Sequence, residues 1–218
     1  SYNKFTNKNI INAHSMDYDV YLNIKNKPKN NTNFYAVFLD EDMVDHVDYA
    51  FDDLKPPVTD KQYNKVLCNF LKKFELETGF KVKIANHPKR KIENIPNLLK
   101  DFEWVHGETA KLVMDSRVVL VHQSKSLSYA ILFKKPLIFL TSDKLAKSWV
   151  GPNIENCSEV LNSLLINIDN SSSKEFDTKT LLKIDEKKYK NYLDNYLKMP
   201  NSPDLPIWEI FAKEIKNI

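Results

Sequence analysis

Residues 117–141 read RVVLVHQSKSLSYAILFKKPLIFLT. An apolar run, 117–121, meets a polar break at His122-Gln123-Ser124-Lys125-Ser126. An apolar helical segment, 124–133, follows, and then a second apolar run, 136–140. Neither run alternates polar with apolar residues. A strand open to water on one face alternates; a strand covered on both faces does not. Two such runs joined by one helix form a right-handed βαβ unit, so this stretch predicts neighbouring parallel strands with helices on both sides.

The same grammar extends outward. Residues 34–39 (FYAVFL) predict a buried strand that ends in Asp40-Glu41-Asp42. Pro56-Pro57 and Asp60 introduce a helix whose Tyr63, Val66, Leu67, Phe70, Leu71 and Phe74 follow a 3.6-residue period, with Gly79 at its end. Residues 80–85 (FKVKIA) predict a second strand, ending at Asn86-His87-Pro88 and a basic loop, Lys89-Arg90-Lys91. A short helix at 95–99, a strand at 102–105, a helix at 109–114 and a last strand at 163–168 complete the pattern. The fold class is therefore α/β, a doubly wound parallel sheet of the Rossmann-like kind. Residues 170–180 read as a polar loop. Two amphipathic C-terminal helices follow, carrying Tyr189, Tyr192, Leu193, Tyr196 and Leu197, then Ile207, Ile210, Phe211 and Ile215, with Pro200, Pro203 and Pro206 between them.

Ahead of the sheet, residues 9–14 predict a short strand. Ser15 or Asp17 caps a helix carrying Tyr18, Val20, Tyr21, Leu22 and Ile24, and 25–33 (KNKPKNNTN) is a linker. That unit is too small to stand alone. The expected organisation is a remnant of a preceding domain plus linker at 1–32, the Rossmann-like domain at 33–182, and helices packing back on it at 183–218.

Composition removes several function classes. A net charge of +3, with lysines spread along the chain, excludes capture of nucleic acid by charge alone. Three glycines are too few for a dinucleotide fingerprint or a Walker loop, so NAD, FAD and P-loop chemistry are excluded. Cys68 and Cys157 form no metal or redox motif and read as reduced thiols of a cytoplasmic protein. No zinc spacing and no G-x-S-x-G elbow occurs. No apolar stretch approaches the roughly 18 residues of a membrane span, and no signal peptide opens the chain.

In a doubly wound sheet, ligands bind beyond the carboxyl ends of the strands. That rule singles out Asp40–Asp42, His87-Pro88-Lys89-Arg90, His106-Gly107-Glu108-Thr109, His122-Gln123-Ser124-Lys125-Ser126 and Thr141-Ser142-Asp143. At Ser124 and Ser126, free N–H groups of a helix start and two hydroxyls suit a phosphate; the competing role for Ser124 is a simple N-cap. His87 can donate to a phosphate or ribose, with Lys89 and Arg90 adding positive charge. Gly107 permits close approach of a ligand, and Glu108 can accept from ribose hydroxyls or serve only the helix dipole. Asp40, Glu41, Asp42 and Asp45 read as a solvated acidic loop, with a metal or general-base role as the rival; His46 reads as a loop residue.

The segment from Ala85 to Leu140, with ANHPKR, GETAKLV and VLVHQSKSLSYAILFKKPLIFL, resembles the C-terminal half of GT-B glycosyltransferases. It is most similar to bacterial enzymes of capsule and surface-polysaccharide assembly of the sialyltransferase and polysialyltransferase type. The resemblance implies that His87-Pro88 and Ser124/Ser126 grip the phosphate and ribose of a nucleotide-sugar donor, CMP-sugar first and UDP- or GDP-sugar next. His87 would then be the catalytic group. Pro88, Lys89, Arg90, Gly107, Glu108, Thr109, His122, Ser124 and Ser126 would form the donor site. It implies no metal or other cofactor, a glycan acceptor, and a place in the cytoplasm or at the inner face of the membrane. The sialyltransferase Asp/Glu-Asp/Glu-Gly motif is absent, since Asp40-Glu41-Asp42 lacks the glycine and lies in the other half. The resemblance thus implies donor binding more than catalysis. The alternatives are a non-catalytic α/β interaction module and a sugar-nucleotide epimerase or hydrolase of the same fold.

Overall fold

The computed structural model describes residues 10–28 and 34–215. Six parallel strands form one sheet: β1 (Tyr35–Leu39), β2 (Lys81–Ala85), β3 (Glu103–Val105), β4 (Val118–Val121), β5 (Leu137–Thr141) and β6 (Leu164–Asn167). Their spatial order is β3-β2-β1-β4-β5-β6. The chain winds outward through β2 and β3, returns to β4 beside β1, then winds the other way. The expected Rossmann-like sheet is present. Its switch point lies between β1 and β4, in register from Ala36 opposite Val118 to Phe38 opposite Leu120. β1 and β4 are buried throughout, as their unbroken apolar runs require.

The helices are α1 (Met16–Ile24), α2 (Asp48–Phe51), α3 (Asp60–Thr78), α4 (Thr109–Asp115), α5 (Leu127–Leu132), α6 (Asp143–Ala146), α7 (Gly151–Val160), α8 (Thr178–Leu181), α9 (Glu186–Tyr192) and α10 (Ile207–Ile215). Helix α3 ends at Gly79, which takes the left-handed conformation (φ 72°) with its N–H on the Glu75 carbonyl. Phe38, Phe70, Phe74 and Phe139 are among the largest fully buried side chains.

Several expectations change. The short helix at 95–99 is two 3-10 turns, Ile92–Asn94 and Asn97–Leu99, because Pro96 bars Ile95 from helical geometry. Helix α5 starts at Leu127 rather than Ser124. Residues 124–126 form a turn in which the Ser126 N–H donates to Ser124 Oγ at 3.2 Å. The strand expected at 9–14 is, within the described residues, a single bridge between His14 and Lys198. The expected leading segment otherwise lies outside the described residues at 1–9 and 29–32, as does the linker at 29–33.

What is described of that leading segment is tied to the domain. Asp17 on α1 accepts hydrogen bonds from Ser128 Oγ (2.6 Å) and the Tyr129 hydroxyl (3.1 Å) on α5. Ser15 N–H donates to the Leu197 carbonyl (2.7 Å), and Ile207 N–H donates to Asp19 Oδ1 (2.9 Å), which fastens the C-terminal helices to α1. A π-helical turn, Leu193–Leu197, carries the chain from α9 to this junction.

The polar loop expected at 170–180 folds instead into a 3-10 turn, Ser173–Phe176, and α8, because one of its residues is a core residue. Phe176 is buried, with ring centroids 6.0 Å from Phe70 and 5.8 Å from Phe74 on α3. Phe176→Ala should lower unfolding free energy by about 3 kcal/mol through lost burial and a residual cavity. Urea denaturation reads this; a change inside measurement error would show that the segment does not pack on α3.

Candidate functional site

At the end of β1 the chain turns sharply, with Asp42 in the left-handed region (φ 49°). That turn is held by Arg90 from the loop after β2. Arg90 Nε donates to Asp40 Oδ2 (2.7 Å), and Nη2 donates to Asp40 Oδ1 (3.1 Å) and to Asp42 Oδ1 (2.8 Å). The His87 N–H donates to Asp40 Oδ2 at 3.2 Å. All three charged side chains are buried, which corrects two expectations. The acidic loop is not solvated, and Arg90 is not available to a phosphate; it neutralises two buried carboxylates. Burial raises the Asp42 carboxyl pKa, with Arg90 opposing it.

His122, at the end of β4, is likewise removed from the ligand set. It has no exposed surface. Its Nδ1–H donates to the Leu140 carbonyl (2.7 Å), so its Nε2 accepts from the Tyr63 hydroxyl (2.8 Å). Burial pushes its pKa down to about 4 and keeps it neutral. It ties β4 to β5 and α3.

Glu41 fills the place expected for a phosphate. Its Oε1 accepts from the backbone N–H of His122 (2.8 Å) and Gln123 (2.9 Å), and its Oε2 accepts from Gln123 at 3.0 Å. The donors beyond β4 that would cradle an anion are thus taken by the chain's own carboxyl group. Glu41 as a residue is only half-buried, since it lines a cavity. The protein packed around its carboxyl group nevertheless pushes its pKa up to about 8, against the pull of the backbone donors.

The cavity, of about 710 Å³, lies over the carboxyl ends of β1, β2 and β4. Of the expected site residues, His87, Pro88, Lys89, Thr109, Ser124 and Ser126 line it; Arg90, Gly107, Glu108 and His122 do not. Gly107 is explained by its left-handed backbone (φ 74°) rather than by a ligand, and Glu108 is an exposed residue before α4. His87 and Ser124, expected in one donor site, line the same cavity, and Glu108 lies outside its lining. The cavity also recruits residues the sequence reading passed over. His46 Nε2 lies 3.3 Å from His87 Nε2. Tyr49 and Trp149 form an edge-on aromatic pair with centroids 6.0 Å apart, Trp149 being anchored by Nε1–H on the Lys55 carbonyl. Lys89 Nζ is paired with Asp48 at 2.6 Å, so its charge is partly neutralised. A smaller cavity, about 470 Å³, lies between α3 and the loop after β5. Among the described residues no His, Cys, Asp and Glu group is arranged to hold a metal, and no helix is long and apolar enough to cross a membrane.

No protein-family profile and no curated protein matches this sequence. Solved structures do match in architecture. UDP-GlcNAc 2-epimerase of Methanocaldococcus jannaschii, in complex with UDP-GlcNAc and UDP, is 12% identical, with TM-score 0.42, over 94% of this chain and 49% of that one. The glycosyltransferase SnogD of Streptomyces nogalater is 9% identical, with TM-score 0.47, over 88% and 45%. The E. coli heptosyltransferase WaaC with ADP is 15% identical, with TM-score 0.37, over 81% and 48%. The chain spans about half the length of these proteins.

Two outcomes follow from the site's electrostatics. Arg90→Met should cost about 3–5 kcal/mol in unfolding free energy, because it strands two buried carboxylates; a loss under about 1 kcal/mol would show them solvated. Glu41 binds its proton more tightly folded, near 8, than at the ordinary 4.5. The native chain therefore holds the extra proton between those values, and its stability falls as pH rises through that window. Glu41→Gln keeps an acceptor for the His122 and Gln123 N–H groups and removes the titration. Its stability relative to the parent should rise steadily from acid to pH 8 in paired denaturation series. A constant difference across that range would contradict the raised pKa.

Proposed function

We propose that this chain is the donor-binding domain of a GT-B-type glycosyltransferase, with a nucleotide-activated sugar held in the cavity at the β1/β4 switch point. The observation that carries this reading is that His87, His46 and the Ser124–Ser126 turn, distant in sequence, line one cavity where doubly wound sheets bind ligands. Ser124 Oγ already accepts the Ser126 N–H, which leaves its own O–H to donate to a phosphate oxygen. His87 donates to the same phosphate and stabilises the negative charge that grows on the departing nucleotide. Lys125, exposed at the rim, adds positive charge. Tyr49 and Trp149 give an apolar wall suited to a base or sugar face. No metal is needed in this scheme. The acceptor glycan, a CMP-sugar donor and a cytoplasmic role in bacterial surface-polysaccharide assembly rest on the resemblance of His87-Pro88 and Ser124/Ser126 alone.

Thermal unfolding in the presence of CMP, UDP or GDP tests the reading. One nucleotide at about a hundred times its Kd should raise the midpoint by roughly 5–10 °C. The shift should shrink in His87→Ala and in Ser124→Ala. Turnover of a sugar-nucleotide without acceptor would point to an epimerase or hydrolase. No shift with any of the three would favour an interaction module.

A further inference from the structure

The two histidines in the cavity have a proton problem that the chain alone does not solve. His46 Nδ1 accepts the backbone N–H of Asp48 at 3.1 Å. The Asp48 carboxylate is 3.7 Å from that nitrogen, too far to bond it. His87 Nδ1 accepts the backbone N–H of Lys89 at 3.3 Å. A ring nitrogen that accepts a hydrogen bond carries no proton, and a neutral imidazole has only one. Both rings therefore carry their proton on Nε2. Those two Nε2 atoms are the ones 3.3 Å apart, with ring centroids at 4.6 Å. Each presents a donor to the other and neither presents an acceptor.

Protonating either ring does not relieve this, since the added proton would fall on Nδ1 and cost the bond from the backbone N–H. A third group that accepts from both donors does relieve it. We infer that His46 and His87 form a two-imidazole clamp for a single phosphoryl oxygen, with both rings neutral. The oxygen sits off the line joining the two nitrogens, on the cavity side. This deepens the donor-site reading and rests on it for the identity of the ligand as a nucleotide phosphate. It also assigns His46 a role that nothing in its sequence context suggests. The backbone donors of His122 and Gln123, the other obvious anion site, are occupied by Glu41, so the phosphate falls to the side chains. Burial and the neighbouring His46 hold the His87 pKa below the usual histidine value, which agrees with a clamp that works uncharged.

Side-chain nitrogen NMR of the full chain, with inorganic pyrophosphate as the probe, tests the clamp. His46→Phe and His87→Phe assign the signals, while the decisive spectra are of the unmodified protein. Without ligand, both rings should show a bare Nδ1 and a protonated Nε2. Pyrophosphate should move both Nε2–H signals together, and His46→Asn should weaken its binding about tenfold. A proton found on Nδ1 of either ring, or a response confined to one ring, overturns the clamp. If pyrophosphate moves both rings but no nucleotide binds, the clamp stands and the donor reading falls. If a nucleotide binds and His46 stays unmoved, the donor reading stands and the clamp falls.

Discussion

Everything at the ligand edge of this sheet depends on the Arg90 guanidinium. It is buried between Asp40 and Asp42, joining the loop after β1 to the loop after β2. Without that charge the left-handed turn at Asp42 would place two carboxylates in a low-dielectric interior with no compensation. With it, Asp40 is rigid enough to accept the His87 N–H and set where that imidazole stands. The same turn delivers Glu41 to the end of β4 and His46 to His87. One guanidinium and its two carboxylate partners thus position three of the side chains that define the cavity.

Glu41 changes how the fold's usual anion site works. In a doubly wound sheet the N–H groups after the strand at the switch point are the natural place for a phosphate. Here Glu41 accepts two of those donors, and α5 begins only after a further turn at 124–126. The polar groups left facing the cavity there are side chains, the hydroxyl of Ser124 and the imidazoles of His46 and His87. A carboxyl group held there at a raised pKa also links its protonation to the stability of the folded chain.

The fold was largely legible in the sequence because the central strands β1, β4 and β5 are buried almost throughout, and their uninterrupted apolar runs leave little choice of architecture. The errors fell where tertiary packing overrides local pattern. Phe176 is one apolar side chain in a polar stretch, and its burial against Phe70 and Phe74 depends on residues about a hundred positions away. The site was half legible. The rule of strand ends picked out His87, Pro88, Lys89, Thr109, Ser124 and Ser126, which line one cavity because topology alone brings those ends together. It could not say which polar side chains at those ends are already satisfied. Arg90 and His122 look like ligands in sequence and are structural in space, since their partners Asp40 and Asp42 come from the loop after β1, Tyr63 from α3 and Leu140 from β5. His46 and Trp149 gave no signal, as their roles depend on contacts with His87 and Tyr49 made only in the folded chain.

A crystal structure of the chain with its best-binding nucleotide decides between these arrangements. A phosphate oxygen is expected within hydrogen-bond reach of both His46 and His87, near the Ser124 hydroxyl, with Glu41 still on the N–H groups of His122 and Gln123. A phosphate found on those N–H groups with Glu41 expelled, or bound in the smaller cavity between α3 and the loop after β5, would contradict it.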